Sequence, residues 1–457
     1  MKMYFGCLII VTFIFISTKI YGSATDLLII FSGEELGNLE PCGCFEGQIG
    51  GISRRYALID SFRKQKKIIL PVSLGDLTKS SGRQEVIKME ILCYALERMD
   101  YILHNLGEKD LEVGPQLISY LSQTNKIAFL SSNVQITSPF PTKINKYVLK
   151  EYVDSKNSFK IAFLGILSKS FFNNNISDFV NIIEPIKALE LLVKQLHDKA
   201  NLIILLSHAP LGESIEIAKL FPEIGLIITG HGIEEPKDSI TYVNNTAIVS
   251  SGTGGKYIGV AEYSINNKLA PLYAKVFTKS KSVEIIPLDN KYKDSLEMVS
   301  LLKDYQQMLM DEDLLSKTPQ MPLLNGLSYV GNLTCGICHK LVYDHWSKTK
   351  HGVSYNTLVN KGHQYDPECI RCHTTGYGFI SGFLNYENNQ NLINVGCESC
   401  HGAGSEHVKN VSNVYGVTDE SICDMCHDNE HSPEFQFKGY WERIKHPKEF
   451  LKKLPNP

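Results

Sequence analysis

Short apolar runs alternate with amphipathic segments over the first two thirds of the chain. Apolar runs predict strands at 27–31, 68–74, 101–106, 127–130, 161–164, 202–206 and 225–229. Apolar positions recur at helical spacing in 84–99 and in 184–200, so both segments are predicted helices. Strands that alternate with helices are typical of an α/β fold, in which polar residues at the strand ends tend to form the site.

The amino terminus carries an apolar segment of another kind. Lys2 precedes an apolar run over 4–16, and the small residues of 21–24 follow it. The run is too short for a comfortable membrane span, so residues 1–24 are predicted to be a cleaved secretory signal. An uncleaved anchor is the alternative, and it would be the chain's link to a membrane. We therefore expect export to the periplasm or an equivalent extracytoplasmic compartment.

Length and charge limit the possible functions of the chain, and its cysteines divide it into two parts. The 457 residues suffice for two or three domains, and the formal net charge of −3 without a basic stripe argues against nucleic acid as a partner. Eight of the 12 cysteines lie between Cys335 and Cys426. This clustering predicts an amino-terminal α/β domain at 25–310, a linker at 311–326 and a cysteine-rich domain at 327–457.

The cysteine-rich domain repeats one motif four times, two cysteines separated by two residues and followed directly by a histidine. The copies are Cys335, Cys338, His339; Cys369, Cys372, His373; Cys397, Cys400, His401; and Cys423, Cys426, His427. In c-type cytochromes the two thiols form thioethers with the haem vinyl groups, and the histidine binds the iron. Paired cysteines also bind zinc, but zinc gives no reason for a histidine after every pair. The motifs predict four covalent haems c.

Each haem iron can also bind a sixth ligand. The candidates outside the motifs are His345, His351, His363, His407, His431 and His446. Methionine is nearly excluded, because Met425 lies inside a motif and no other methionine follows Met321. Low-spin haems are therefore expected to be bis-histidine, with low potentials. Four haems in so short a domain leave no room for a separate apolar core, so we expect short helices and long loops around closely spaced porphyrins.

Several segments of this domain resemble the tetrahaem cytochrome c-554 family. They are 329–352 with the first motif, 368–377 with the second and 396–407 with the third. The resemblance implies that His351, His407 and His446 are distal ligands. It also implies that the haem on the second motif has no protein sixth ligand and is open to a small molecule such as nitric oxide. The histidines at 345, 363 and 431 are then expected at the surface.

Polar residues at predicted strand ends carry a second resemblance. Asp76, His208, His231 and the segment 107–110 occur in the order found in the calcineurin-like metallophosphatases, in the 5′-nucleotidase branch that includes the bacterial thiosulfohydrolases. The resemblance implies a layered α/β sandwich with two metal ions. The opening Asp-x-His pair is absent, Gly-Glu-Lys-Asp replaces Gly-Asn-His, and the last histidine of Gly-His-x-His is missing. Two-metal hydrolysis needs both ions, so we expect phosphoesterase activity to be lost.

Cys42 and Cys44 lie in the region where the Asp-x-His pair is missing. Cysteines one residue apart rarely bridge each other. They are expected either to join Asp76, His208 and His231 as ligands of one divalent metal, or to belong to a structural loop.

Three functions fit these features. The first is an electron carrier whose amino-terminal domain docks redox partner proteins or binds a substrate. The second is a redox enzyme that converts a small nitrogen or sulfur compound at the amino-terminal cleft or at the open haem. The third, a metal-dependent hydrolase fused to a cytochrome, is the least favoured because ligands are missing.

Overall fold

The computed structural model describes most of the chain after the predicted secretory signal. The described residues are 25–41, 47–65, 68–137, 139–154, 157–172, 177–236, 239–265, 282–411, 415–416, 418–428 and 431–451. The segment 1–24, Cys42 and Cys44 lie outside them. Within these ranges, no helix is long and apolar enough to cross a membrane.

The amino-terminal domain contains two large sheets. The strands are β1 Thr25–Ser32, β2 Ile68–Ser73, β3 Leu103–Asn105, β4 Ala128–Leu130, β5 Val134–Ile136, β6 Ile144–Asn145, β7 Val148–Asp154, β8 Asn157–Leu167, β9 Val180–Ile182, β10 Leu202–His208, β11 Leu226–Gly230, β12 Thr241–Val243, β13 Thr246–Ser250, β14 Tyr257–Ile265 and β15 Ser282–Pro287. One sheet has the order β15-β14-β1-β2-β3-β4-β6 and the other β12-β13-β11-β10-β8-β7, with β5 and β9 as a separate pair. The central strands β1 to β4 are parallel, as are β8, β10, β11 and β13.

Helices cover the outer face of each sheet. They are α1 Ile52–Lys64, α2 Arg83–Arg98, α3 Glu108–Glu112, α4 Pro115–Thr124, α5 Pro185–His197, α6 Leu211–Leu220 and α7 Leu296–Asp311. Alternate residues of a strand point to opposite faces. Ile29 and Phe31 accordingly pack against the second sheet, whereas Leu28 and Ile30 pack against α1, α2 and α7. Helices α5 and α6 cover the second sheet. The predicted layered α/β sandwich is confirmed, and burial on both faces explains the apolar runs.

The cysteine-rich domain is built from short helices and loops. Its helices are α8 Leu314–Lys317, α9 Asn332–Cys338, α10 Lys340–Trp346, α11 Ser354–Lys361, α12 Pro367–His373, α13 Cys397–His401, α14 Ser405–Lys409, α15 Glu420–Cys423, α16 Phe437–Ile444 and α17 Lys448–Leu451. One small cluster of buried apolar side chains lies here, formed by Leu315, Tyr355, Leu358, Ile370, Phe383 and Leu392. The expectation of a helical, loop-rich domain is confirmed.

The segment expected as a linker, 311–326, is packed against the cysteine-rich domain. Leu315 of α8 belongs to the apolar cluster of that domain. The Tyr377 hydroxyl donates a hydrogen bond to Thr318 Oγ1 at 2.7 Å, and the Met321 backbone pairs with the backbone of Gly378 and Ile380. Pro319 follows the end of α8 at Lys317, and the tertiary contacts above hold the segment against the domain.

Candidate functional site

One polar cluster lies at the carboxyl ends of the parallel strands. Glu34 follows β1, Asp76 follows β2, His208 ends β10 and His231 follows β11, and one ligand atom from each lies within 4.8 Å of the others. The carboxyl ends of parallel strands lie at one edge of a sheet, which is why residues far apart in sequence converge. The structure thus brings together Asp76, His208 and His231 and adds Glu34. Cys42 and Cys44, proposed as further ligands, lie outside the described residues.

Glu108, in the first turn of α3, is a fifth member of this cluster. Its Oε2 lies 2.7 Å from His208 Nε2, and its Oε1 lies 3.4 Å from His231 Nδ1. His208 Nε2 also lies 3.2 Å from Asp76 Oδ2. The resemblance indicates only the loss of an asparagine ligand at Glu108, although a carboxylate also offers oxygen ligands. An acidic residue at that position was the signal that would have identified it.

A buried hydrogen-bond network fixes the turn that carries Asp76. The Asp110 carboxylate accepts hydrogen bonds from the backbone N–H groups of Asp76 at 2.9 Å and Leu77 at 2.8 Å. His104 Nε2 lies 3.2 Å from Asp110 Oδ2, and His104 Nδ1 lies 3.0 Å from Ser73 Oγ. All these side chains are buried. Ser73, His104 and Asp110 therefore hold the turn of Asp76 in place. Because all three are buried, none of them is available to a substrate as a nucleophile.

The electrostatics of the cluster fit one cation. Burial raises the pKa of Glu34, and it raises the pKa of Asp76 to about 7. Although burial opposes protonation of His208, Asp76 and Glu108 raise the pKa of His208 well above its ordinary value. Among the described atoms, Glu34 Oε2 and His231 Nδ1 are buried without a hydrogen-bond partner. A divalent metal would neutralise the carboxylates and engage these orphaned atoms.

The four Cys-x-x-Cys-His motifs lie on or beside short helices, and two of their histidines are oriented to bind a metal. His373 Nδ1 lies 2.9 Å from the carbonyl oxygen of Ser354, and His401 Nδ1 lies 2.8 Å from that of Gly416. Because a carbonyl oxygen only accepts, Nδ1 carries the proton in both rings and Nε2 is left as the metal ligand.

Three of the four motif histidines face a second histidine across a gap. The ring centroids are 6.2 Å apart for His339 and His407, 6.1 Å for His427 and His351, and 6.2 Å for His401 and His446. If two imidazole rings bound one metal ion from opposite sides, two metal–nitrogen bonds of about 2 Å and the nitrogen-to-centroid distances of both rings would add up to a centroid separation of about 6 Å. In the described part, His407 and His446 each also have a buried Nδ1 without a hydrogen-bond partner. These pairs fit a haem iron between them.

The remaining histidines behave differently. Among the described rings, none of the other histidines faces His373 in this way. His431 is exposed and bonds to a neighbouring aspartate, as expected of a surface residue. His363 is only 20% exposed because its Nε2 lies 2.9 Å from Glu40 Oε2, and His345 is half-buried among aromatic rings. Both side chains are therefore only partly exposed.

The cysteine-rich domain is similar to known cytochromes. Residues 334–402 match the family described as cytochrome c554 and c-prime. Cytochrome c-554 of Nitrosomonas europaea is 30% identical over 91 residues, which cover 17% of this chain and 39% of that protein. The chain thus spans about two fifths of the curated relative that it matches. The matched segment marks a c-type cytochrome domain, a class that carries haem c.

The amino-terminal domain resembles solved phosphoesterase structures. A 5′-nucleotidase precursor from Thermus thermophilus matches with a TM-score of 0.55 and 17% identity, over 74% of this chain and 68% of the other. The calcineurin-like phosphoesterase YfkN from Bacillus subtilis matches with 0.52 and 17%, over 63% and 99%. A sulfate thiohydrolase of Thermus thermophilus matches with 0.52 and 16%, over 65% and 62%. At these identities the likeness establishes the fold alone, that of a calcineurin-like phosphoesterase.

Proposed function

We propose that this protein is an exported tetrahaem c-type cytochrome that transfers electrons, and that its amino-terminal domain docks a redox partner or binds a small substrate. The three facing histidine pairs carry the proposal. Haem c supplies an iron that cycles between the ferric and ferrous states. Each histidine pair would hold its iron without leaving a position for another ligand, which suits electron transfer without ligand exchange. A reductive titration tests this, since four haems take up four electrons per chain.

Each axial pair joins distant segments of the chain. We assign His407 as the partner of His339, His351 as the partner of His427, and His446 as the partner of His401, on the centroid distances of 6.1 to 6.2 Å. Metal ligation of this kind contributes directly to folding free energy. This contribution would add to the stabilisation from the described apolar core of the domain, which is one small cluster.

Contacts between the motifs support an order for the haems. Thiols of different motifs form hydrogen bonds in two places, Cys335 with Cys397 and Cys372 with Cys426. In a third place, Cys423 is close enough to Cys400 to raise the pKa of the Cys400 thiol, in addition to the effect of burial. Since each haem is attached at these thiols, neighbouring thiols bring the edges of two haems together. We infer the order first, third, fourth, second along the path of electrons, so that the second haem is at one end.

The second haem favours a further candidate function, conversion of a small nitrogen or sulfur compound. Its motif histidine, His373, faces no other histidine ring among the described residues. An iron with one exchangeable axial position binds small molecules, whereas a bis-histidine iron does not. Cys369, Cys372 and His373 would hold this haem with one position free for a small molecule, and the other three motifs would hold the haems that supply or remove its electrons.

We propose that the amino-terminal cluster binds one divalent cation. Glu34, Asp76, His208 and His231 offer four ligand atoms within 4.8 Å, with Cys42 and Cys44 as further candidates. Among the described residues these four form a single group of this kind. Dinuclear phosphoester hydrolysis needs two ions, so the cluster supports binding or docking more than hydrolysis.

The metal content of the full-length protein tests this site. We expect one non-haem divalent ion per chain, and we expect His208→Ala to lose it, because the substitution removes a fully buried ligand from the centre of the cluster. His197→Ala, on the exposed side of α5, is the matched control and should keep the ion. Elemental analysis by mass spectrometry, with iron counted separately, measures both.

Full metal content in His208→Ala would rule out this cluster as the site. In a Cys42→Ser, Cys44→Ser variant, unchanged content would restrict the ligands to the other residues, whereas loss would support the thiolates.

A further inference from the structure

The amino-terminal domain contacts the helix that carries the second haem motif. Asp366 is the N-cap of α12 and accepts a hydrogen bond from the backbone N–H of Glu368 at 3.0 Å. The same carboxylate accepts hydrogen bonds from Gln84 Nε2 at 2.9 Å and from the Tyr305 hydroxyl at 3.3 Å. Gln84 lies in α2 and Tyr305 in α7. The first turn of α12 is therefore held by two helices of the other domain.

A charged network crosses the same contact, directly before the attachment cysteine Cys369. Lys88 Nζ lies 2.6 Å from Glu368 Oε2, and Lys79 pairs with Glu368 Oε1. Glu85 Oε1 lies 3.4 Å from Lys88 Nζ. The side chain of Lys88 is 3% exposed and that of Glu85 is 5% exposed. Two lysines thus face Glu85 and Glu368 beside the second motif, and the side chains of Lys88 and Glu85 are shielded from water. The Asp366 carboxylate adds a further negative charge at this contact.

We propose that this network sets the reduction potential of the second haem: Lys79 and Lys88 raise it, and Glu368 lowers it. The proposal rests on the proposed function, because it requires a haem on Cys369 and Cys372. Reduction adds one electron to that haem. A nearby positive charge stabilises the reduced form and a nearby carboxylate destabilises it. Burial of Lys88 keeps this interaction from being screened by solvent and salt.

The network also makes that potential depend on contact between the two domains. Three of its charges belong to α2 or the segment before it, and only Glu368 belongs to the cytochrome domain. Separation of the domains would leave Glu368 unpaired beside the haem and would lower the potential. A ligand or partner that separates the two domains would therefore lower this potential.

Equilibrium redox titrations of the haem-loaded, full-length protein test the proposal. The second haem is followed through its high-spin absorption, which the bis-histidine haems do not share. We expect Lys88→Met to lower its potential, Glu368→Gln to raise it, and the double variant to lie close to the native value. Lys126→Met is the matched control: Lys126 pairs with Glu97 at 2.9 Å on the exposed surface of the same domain, so the potential should not change.

Opposite shifts distinguish a charge effect from loosened packing. Shifts of Lys88→Met and Glu368→Gln in the same direction, or no shift in either, would overturn the proposal. If Lys88→Met does not fold, Lys79→Met replaces it, and we expect a smaller lowering because Lys79 is 49% exposed. A native protein without a haem on the second motif would instead refute the proposed function, which haem counting on the same sample detects.

Discussion

Replacing Cys369 and Cys372 together by alanine should remove one haem and every spectroscopic sign of an open iron. The two thiols are the covalent attachment of the second haem. His373 faces no partner histidine in the described structure, so the iron it binds is the one expected to be high-spin in the native protein. We expect the ferrous variant to bind no carbon monoxide, and three low-spin haems to remain.

The first motif provides the matched control for this experiment. Cys335→Ala, Cys338→Ala should also lose one haem, but carbon monoxide binding should remain, because His339 has His407 opposite it at 6.2 Å. The measurement is the carbon monoxide difference spectrum, with covalent haem counted after acid-acetone extraction. Carbon monoxide binding that survived in the second-motif variant would place the open iron elsewhere.

Single replacements of His351, His407 or His446 by alanine should each convert one low-spin haem to high spin. The centroid of each of these rings lies 6.1 to 6.2 Å from the ring centroid of a motif histidine. Removing one of two strong axial ligands leaves a five-coordinate or water-bound ferric iron. Electron paramagnetic resonance should show the high-spin signal double, from one haem per chain to two.

His431→Ala and His345→Ala are the controls for the distal ligands. His431 is exposed and bonds to Asp428 at 2.8 Å. The His345 ring stands at 81° to that of His446, and among the described rings it faces no motif histidine. Both variants should keep the native spectrum. If the spectrum stayed native in all three distal variants instead, the axial assignment would be wrong.

The layers of the amino-terminal domain could be predicted from the sequence, and its site only in part. Strands such as β10 are buried on both faces and therefore appear as continuous apolar runs. Asp76, His208 and His231 stand out as polar residues at strand ends. Glu34 and Glu108 reach the same point from other turns, and their convergence depends on how the two sheets pack.

In the cytochrome domain, local chemistry could be predicted and long-range pairing could not. Haem attachment needs only a five-residue motif, so it is visible in sequence. His351 precedes the second motif but faces His427 of the fourth, a pairing that no spacing rule gives. The contact of Lys88 with Glu368 was missed for the same reason, because it joins residues of different domains through tertiary packing alone.

The number of haems and the number of electrons they accept, measured on one sample, test the central claim most directly. Pyridine haemochromogen analysis counts the haems, and an anaerobic reductive titration counts the electrons. The four motifs ending in His339, His373, His401 and His427 predict four covalent haems and four electrons per chain. Two or fewer haems, or four haems of which only a minority can be reduced, would contradict an electron-transferring tetrahaem cytochrome.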